Sequence, residues 1–170
     1  NGIFTSRDKF RASQTMTKRG IGIPRTAFVG SPAAVSGAVD YIGGAPLVVK
    51  LVTGSQGIGV TLAEHRQTAV ALVDMLQSVG SETLMQSFVA ESRGKDIRAF
   101  VVDGVVVAAM RRMASGDEFR SNIHRGGTAE PVELSEEYVD AAVRAAQVIG
   151  LRVAGVDILE AESGPMVIEV

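Results

Sequence analysis

The chain has 170 residues, room for one large domain or two small lobes, and at this length burial of roughly 70% of the unfolded surface is feasible. Hydrophobic residues make up 46% and charged residues 21%, which excludes intrinsically disordered and low-complexity classes. With 17 Lys and Arg against 19 Asp and Glu the formal charge is −2, so the basic excess that phosphate-backbone binding requires is missing and nucleic acid is excluded as a primary ligand.

In chain order, the first predicted element is a weak helix from about Asp8 to Arg19, ended by Gly20 and followed by Pro24. Ser31-Pro32 reads as an N-cap and first turn, after which Val35, Ala38, Val39 and Ile42 fall at i, i+3, i+4 and i+7 before Gly43. Strands are expected at 47–51 and 58–62, then a helix carrying Ala69, Leu72, Val73 and Leu76 up to Gly80, then a strand at 83–88. Strands at 97–102 and 105–110 flank Asp103-Gly104, a pair suited to the positive φ values of a type I′ turn, so they form an antiparallel hairpin. A third amphipathic helix opens at Ser135, carries Val139, Ala142, Val143 and Ala146, and closes at Gly150. Strands at 153–159 and 165–170, separated by Glu162-Ser163-Gly164, make a second hairpin. Helices and hairpins mix without strict βαβ alternation, which predicts an α+β fold.

The absence of cysteine removes disulfides, thiolate metal sites and Cys nucleophiles together, and is compatible with a cytoplasmic protein. Two histidines are too few for a His-rich metal cage. The most apolar stretch, 100–110, is interrupted by Asp103 and Gly104, so no membrane anchor is expected. A chain that starts at Asn1, with no initiator Met and no secretory leader pattern, reads as a piece of a longer protein.

Three segments carry candidate chemistry. In the first, Lys50 sits inside an apolar strand and is followed by Gly54, Gly57 and Gly59. A buried unpaired lysine is costly, and glycines let backbone N–H groups approach an anion, so the pair reads as phosphate binding. It is neither a Walker A loop, because Val60-Thr61 stands where Lys-Ser/Thr is required, nor G-x-G-x-x-G. An edge lysine in solvent beside a glycine hairpin explains the same residues. In the second, Asp157 and Glu169 are embedded among apolar strand neighbours. On adjacent antiparallel strands they can share a face and hold Mg²⁺; period-2 alternation equally allows both to face solvent. The third runs from Arg111-Arg112 through Arg120, Ser121, Asn122, His124 and Arg125 to Gly126-Gly127. Guanidinium forks suit a polyanion, and a solvated loop is the plainer alternative.

Taken together, the order Asp8-Lys9, Leu47 to Lys50 with the glycine loop, Asp96-Ile97-Arg98, Phe119-Arg120-Ser121-Asn122 with Gly126-Gly127, Gly155-Val156-Asp157 and Ile168-Glu169-Val170 resembles an ATP-grasp ligase, most closely the RimK group of alpha-L-glutamate ligases. The resemblance implies two small lobes, 1–85 with the glycine loop and 86–170 with the metal-binding strands, that clasp ATP. It implies that Lys9 and Lys50 contact the phosphates under a loop of Gly54, Gly57 and Gly59. Adenine would meet the link of Gln86, Ser87, Phe88 and Val89 largely through backbone groups, and the ribose would meet Asp96. Arg98, Arg111 and Arg120 would be the catalytic cations of the phosphate and acyl-phosphate site, with Ser121 and Asn122 beside them, and Asp157 with Glu169 would coordinate one or two Mg²⁺ or Mn²⁺ ions.

The activity so implied is amide-bond formation through an acyl phosphate, with glutamate as donor and the C-terminal carboxylate of a protein, a small-subunit ribosomal protein, as acceptor. Alternatives are a ligase core from amino-acid or cofactor biosynthesis and a non-catalytic nucleotide-binding module; a homo-oligomer is left open. Three departures stand out. Ser87 occupies a position where the family commonly has Glu, and the family continues with an Asn after the position of Val170 and has a domain before this region, so a piece truncated at both ends is expected to turn over poorly.

Overall fold

The computed structural model describes residues 1–54, 57–116, 118–121 and 126–170. Along them run α1 (Gly2–Arg7), α2 (Lys9–Lys18), β1 (Thr26–Val29), α3 (Val35–Ile42), β2 (Leu47–Leu51), β3 (Val60–Ala63), α4 (Arg66–Ser78), β4 (Thr83–Ser87), β5 (Lys95–Val102), β6 (Val105–Met113), β7 (Thr128–Pro131), α5 (Glu136–Ile149), β8 (Val153–Ala161) and β9 (Gly164–Glu169). The strands form two antiparallel sheets, one in the order β1-β4-β2-β3 and one in the order β7-β6-β5-β8-β9. With helices packed on each, this is the α+β arrangement expected from the hairpin signals.

The chain builds two compact units, Pro24–Phe88 and the pair of segments Asn1–Ile23 and Val89–Val170. In the smaller unit α3 and α4 cover the four-stranded sheet. The predicted stripe of Val35, Ala38, Val39 and Ile42 is buried against Leu47, Val49 and Met85. Gly43 closes α3 with φ 101°, a left-handed value that a side chain resists. Ser31 precedes a 3₁₀ turn at Pro32–Ala34 and offers no side-chain cap, so the α-helix proper starts at Val35 rather than directly after Pro32.

In the larger unit α5 lies on the five-stranded sheet. Its alanines at 142, 145 and 146 and Ile149 pack on Ile97, Ala99, Val156 and Ile158, small side chains that let helix and strands approach closely. Glu136 and Glu137 in the first turn suit the positive end of the helix dipole. The Asp103-Gly104 turn has φ values of 48° and 81°, as a type I′ turn requires, and joins Val102 to its partner Val105.

One division differs from the expected lobes. A boundary after residue 85 would leave residues 1–23 with the first lobe, whereas the structure packs them with Val89–Val170. The cause is hydrophobic: α2 buries Ala12 and Met16 in the same core as α5 and β5, and the Gly22 carbonyl accepts the Val167 N–H at 2.8 Å. The periodicity of α2 shows that it has an apolar stripe without showing which sheet the stripe meets. Two strands had no strand signature: β1 is short, and β7 is an exposed edge strand with no apolar residue except Ala129 and Pro131.

Met16 is 2% exposed. Met16→Ala is therefore expected to cost about 2–5 kcal/mol in urea unfolding, while Met75→Ala on the exposed side of α4 stays within about 0.5 kcal/mol. Equal effects from the two would contradict the placement of α2 in that core.

Candidate functional site

On β8, Ala154, Val156 and Ile158 point into the core beneath α5, so alternation turns Asp157 to the opposite face of the sheet. Arg98 on β5 is its register partner. The Arg98 guanidinium grips Asp157 with both prongs, Nε to Oδ1 and Nη2 to Oδ2, each at 2.6 Å. A second guanidinium, that of Arg112 on β6, donates to Asp157 Oδ2 at 2.8 Å. Arg112 also holds Asp96 through both carboxylate oxygens, Nε to Oδ1 at 2.7 Å and Nη2 to Oδ2. Asp96, Arg112 and Asp157 are 2%, 5% and 4% exposed, and with the part-exposed Arg98 they form a neutral chain of two guanidiniums and two carboxylates, Asp96–Arg112–Asp157–Arg98.

The electrostatics follow from that geometry. The hydrogen bond to Asp157 is the largest influence on Arg98 and raises its pKa above the ordinary arginine value against the opposing effect of burial. For Arg112 burial is the largest influence and works against the charge. The Asp96 hydrogen bond and the charges of Asp157 and Asp96 outweigh it, and the net shift is again upward. Both arginines are cations at any accessible pH.

Two β-bulges decide which side chains take part. Between β5 and β6 the pairing runs Val102 with Val105 and Val101 with Val106, then skips one residue to pair Phe100 with Ala108. Because one extra residue turns every later side chain to the other face, Arg112 lands opposite Asp96 and Arg111 opposite Ile97. Between β8 and β9 the pairing of Ile158 with Val167 is followed by Asp157 with Glu169, passing over Ile168. That second bulge sets Glu169 directly across from Asp157, where unbroken alternation would set Ile168.

Arg111 is thus not brought together with Arg98. It forms a forked pair with Glu160, Nη2 to Oε1 at 2.8 Å and Nε to Oε2 at 3.1 Å, on the face that carries Ile97 and Ile158. The expected ribose ligand Asp96 is likewise committed, with both oxygens on Arg112. Arg120 pairs with Glu118, Nε to Oε1 at 2.9 Å and Nη2 to Oε2 at 2.8 Å, and lies 5.4 Å from the centre of the Phe119 ring. Ser121 beside it is buried. Asn122, like His124 and Arg125, lies outside the described residues. Lys9 opens α2 behind the Asp8 cap, whose carboxylate accepts the Arg11 N–H at 2.9 Å. Among the described residues no group of three or more His, Cys, Asp or Glu gathers.

In the smaller unit Lys50, on β2, donates from Nζ to Gln86 Oε1 at 2.5 Å. Gln86 Nε2 donates to Thr26 Oγ1, and the Thr26 hydroxyl to the Pro24 carbonyl, both at 2.8 Å. This relay fixes the amide orientation of Gln86 and aims the lysine. The glycine loop follows, with Gly54, Gly57 and Gly59 at φ 138°, 71° and 72°. A methyl on Gly59 would stand 2.5 Å from Leu51 Cδ1. Ser87 spends its N–H on the Arg25 carbonyl at 2.8 Å, and half-buried Phe88 ends the unit.

Arg112, Gln86, Glu118 and Glu160 are the participants that sequence reasoning did not single out. Arg112 was visible only as the neighbour of Arg111, and Gln86 only as part of a backbone link. The two adjacent arginines give a sharp contrast. Arg112→Ala strips a buried carboxylate pair of its counter-charge and is expected to cost about 3–5 kcal/mol in denaturant unfolding. Arg111→Ala breaks a part-exposed pair and costs below about 1 kcal/mol.

Comparison with known proteins identifies the family. The RimK-like ATP-grasp domain matches residues 6–170. A probable alpha-L-glutamate ligase of Rhodopirellula baltica is 56% identical over 169 residues, 99% of this chain and 42% of that protein. A probable alpha-L-glutamate ligase 2 of Shewanella sp. strain MR-4 is 48% identical over 169 residues, 99% of this chain and 56% of that protein. The chain thus spans about half the length of the curated relatives it matches. Among solved structures, the ATP-grasp ligase PsnB complexed with precursor peptide PsnA2 and AMPPNP superposes with a TM-score of 0.73 at 25% identity, over 95% of this chain and 48% of PsnB. PsnB has also been solved with Mg and ADP. With the match running from residue 6 to residue 170 through both sheets, the chain belongs to the RimK-like ATP-grasp family.

Proposed function

We propose that this chain is the nucleotide-binding domain of an ATP-dependent carboxylate–amine ligase that joins glutamate to the C-terminal carboxylate of a protein or peptide. The observation that carries the reading is the facing pair Asp157 and Glu169 with Arg98 alongside, an acid pair and an adjacent guanidinium on one strand register. Family membership and relatives named as glutamate ligases support it. A small-subunit ribosomal protein is the acceptor proposed from the sequence resemblance.

The donor set suits Mg²⁺ or Mn²⁺ in kind. Mg²⁺ typically takes one or two protein carboxylates and completes its shell with nucleotide phosphates and water, and two carboxylates on paired strands fit that pattern. When bound, such an ion would offset the charge of the phosphates. Asp157 and Glu169 would hold it. The residues of the chain then do the following. Lys50, aimed by Gln86, and Lys9 neutralise the triphosphate, and the loop glycines present backbone N–H groups to it. The acceptor carboxylate oxygen attacks the γ-phosphorus, the bond to the bridging oxygen breaks, and ADP departs. Arg98 and Arg120, with Ser121 and Asn122, stabilise the transferring phosphoryl group and the acyl phosphate. The glutamate amine then attacks the acyl carbon, a C–N bond forms, phosphate leaves with the former carboxylate oxygen, and the amine loses a proton.

The test is ADP release by the protein with ATP, Mg²⁺, glutamate and a peptide ending in glutamate, joined to calorimetric ATP binding. Lys50→Ala is expected to weaken ATP binding by about tenfold or more, the loss of a charge-assisted phosphate contact. Glutamate-dependent ADP release with mass addition to the peptide supports the reading. Tight ATP binding with no release in any amine and carboxylate combination points to a binding module, and unaltered affinity in Lys50→Ala removes the phosphate role of that lysine.

A further inference from the structure

Asp157 accepts hydrogen bonds from two guanidiniums that are placed very differently. The Arg112 side chain is 6% exposed and is tied a second time, by both prongs, to Asp96. The Arg98 side chain is 34% exposed, and among the described residues it donates to the two oxygens of Asp157 alone. A cation that takes an Asp157 oxygen must compete with these donors. Arg98 is the one that leaves at low cost, since solvent already reaches it and it abandons no other partner. Arg112 cannot leave without stranding Asp96, a buried carboxylate, beside it.

We propose that Arg112 is a positioning residue for the cation-binding carboxylate: anchored on Asp96, it holds Asp157 facing Glu169 while Arg98 yields its place on Asp157 to the divalent ion. The inference rests on the preceding assignment of Asp157 and Glu169 to the cation. It gives the buried pair a task beyond stability. Outer partners that orient a metal-ligating carboxylate commonly change metal affinity by about 10–100-fold when removed. It also couples two events, because the ion that enters frees the Arg98 fork for the phosphoryl oxygens.

The experiment measures Mn²⁺ uptake by electron paramagnetic resonance of the free ion, at ADP concentrations that saturate each variant, beside ADP affinity in chelator and the thermal midpoint. The double variant Arg112→Gln/Asp96→Asn removes one charge of each sign and keeps polar groups in place. It is expected to keep its thermal midpoint and chelator-side ADP affinity while its Mn²⁺ midpoint rises about tenfold or more. Arg98→Ala is expected to move the Mn²⁺ midpoint the other way, to lower concentration. If the double variant does not fold, Arg112→Lys decides, since it keeps the charge and loses the fork; an unshifted Mn²⁺ midpoint there overturns the proposal. Wild-type protein that takes up Mn²⁺ beside a folded double variant with the same midpoint overturns the role of Arg112 alone. Wild-type protein that takes up no Mn²⁺ with ADP overturns the cation assignment as well. A rise in the Mn²⁺ midpoint of Arg98→Ala overturns the displacement.

Discussion

Charges buried between strands must be neutralised where they lie, and in this protein that requirement is met by the chain Asp96–Arg112–Asp157–Arg98. It stitches three neighbouring strands, β6, β5 and β8, through side chains as well as through their ladders. Each member depends on the next: Asp157 without its guanidiniums would be a desolvated anion, and Arg112 without its carboxylates a desolvated cation. The same neutralisation sets the chemistry. It keeps an ionised carboxylate at the sheet face without a local excess of negative charge, and it stations a guanidinium fork beside that carboxylate.

The chain of charges depends on one single-residue irregularity, and the acid pair beside it on a second. Without the bulge between Phe100 and Val101, Arg111 rather than Arg112 would face Asp96. Without the bulge between Asp157 and Ile158, Ile168 rather than Glu169 would face Asp157. Bulges of this kind re-aim side chains by altering the phase of a strand by one residue, at the cost of a locally interrupted ladder. Here both act in the strands that carry the candidate site, and the helix-facing apolar residues Val106 and Val167 keep their core positions on the near side of each bulge. The core thus holds one phase of the strand and the site uses the other.

In the smaller unit an amide takes part in holding a charged side chain. Lys50 continues an apolar strand, and its ammonium is received by an amide whose orientation is set by Thr26 and ultimately by the Pro24 carbonyl. The amide acceptor fixes where the ammonium lies at the end of β2. The glycines that follow hold left-handed backbone values, and so can expose N–H groups where side chains would strain or collide.

Much of this was legible beforehand. The helical stripes of α3 and α5, the Asp103-Gly104 hairpin and the α+β class follow from local periodicity and turn chemistry, because burial period and φ preference are properties of short segments. The ordered motifs Lys50, Gly54 to Gly59, Arg98, Asp157 and Glu169 identified the ATP-grasp likeness, since each lies in a short conspicuous pattern. Tertiary structure decided what depends on register: that α2 joins the core beneath α5, that Arg112 and not Arg111 meets Asp157, that Asp96 is an ion-pair partner, and that Gln86 aims Lys50 through its side chain. A strand's residues determine which side chains alternate, but only its pairing with a neighbour, bulges included, determines which of the two faces each one reaches.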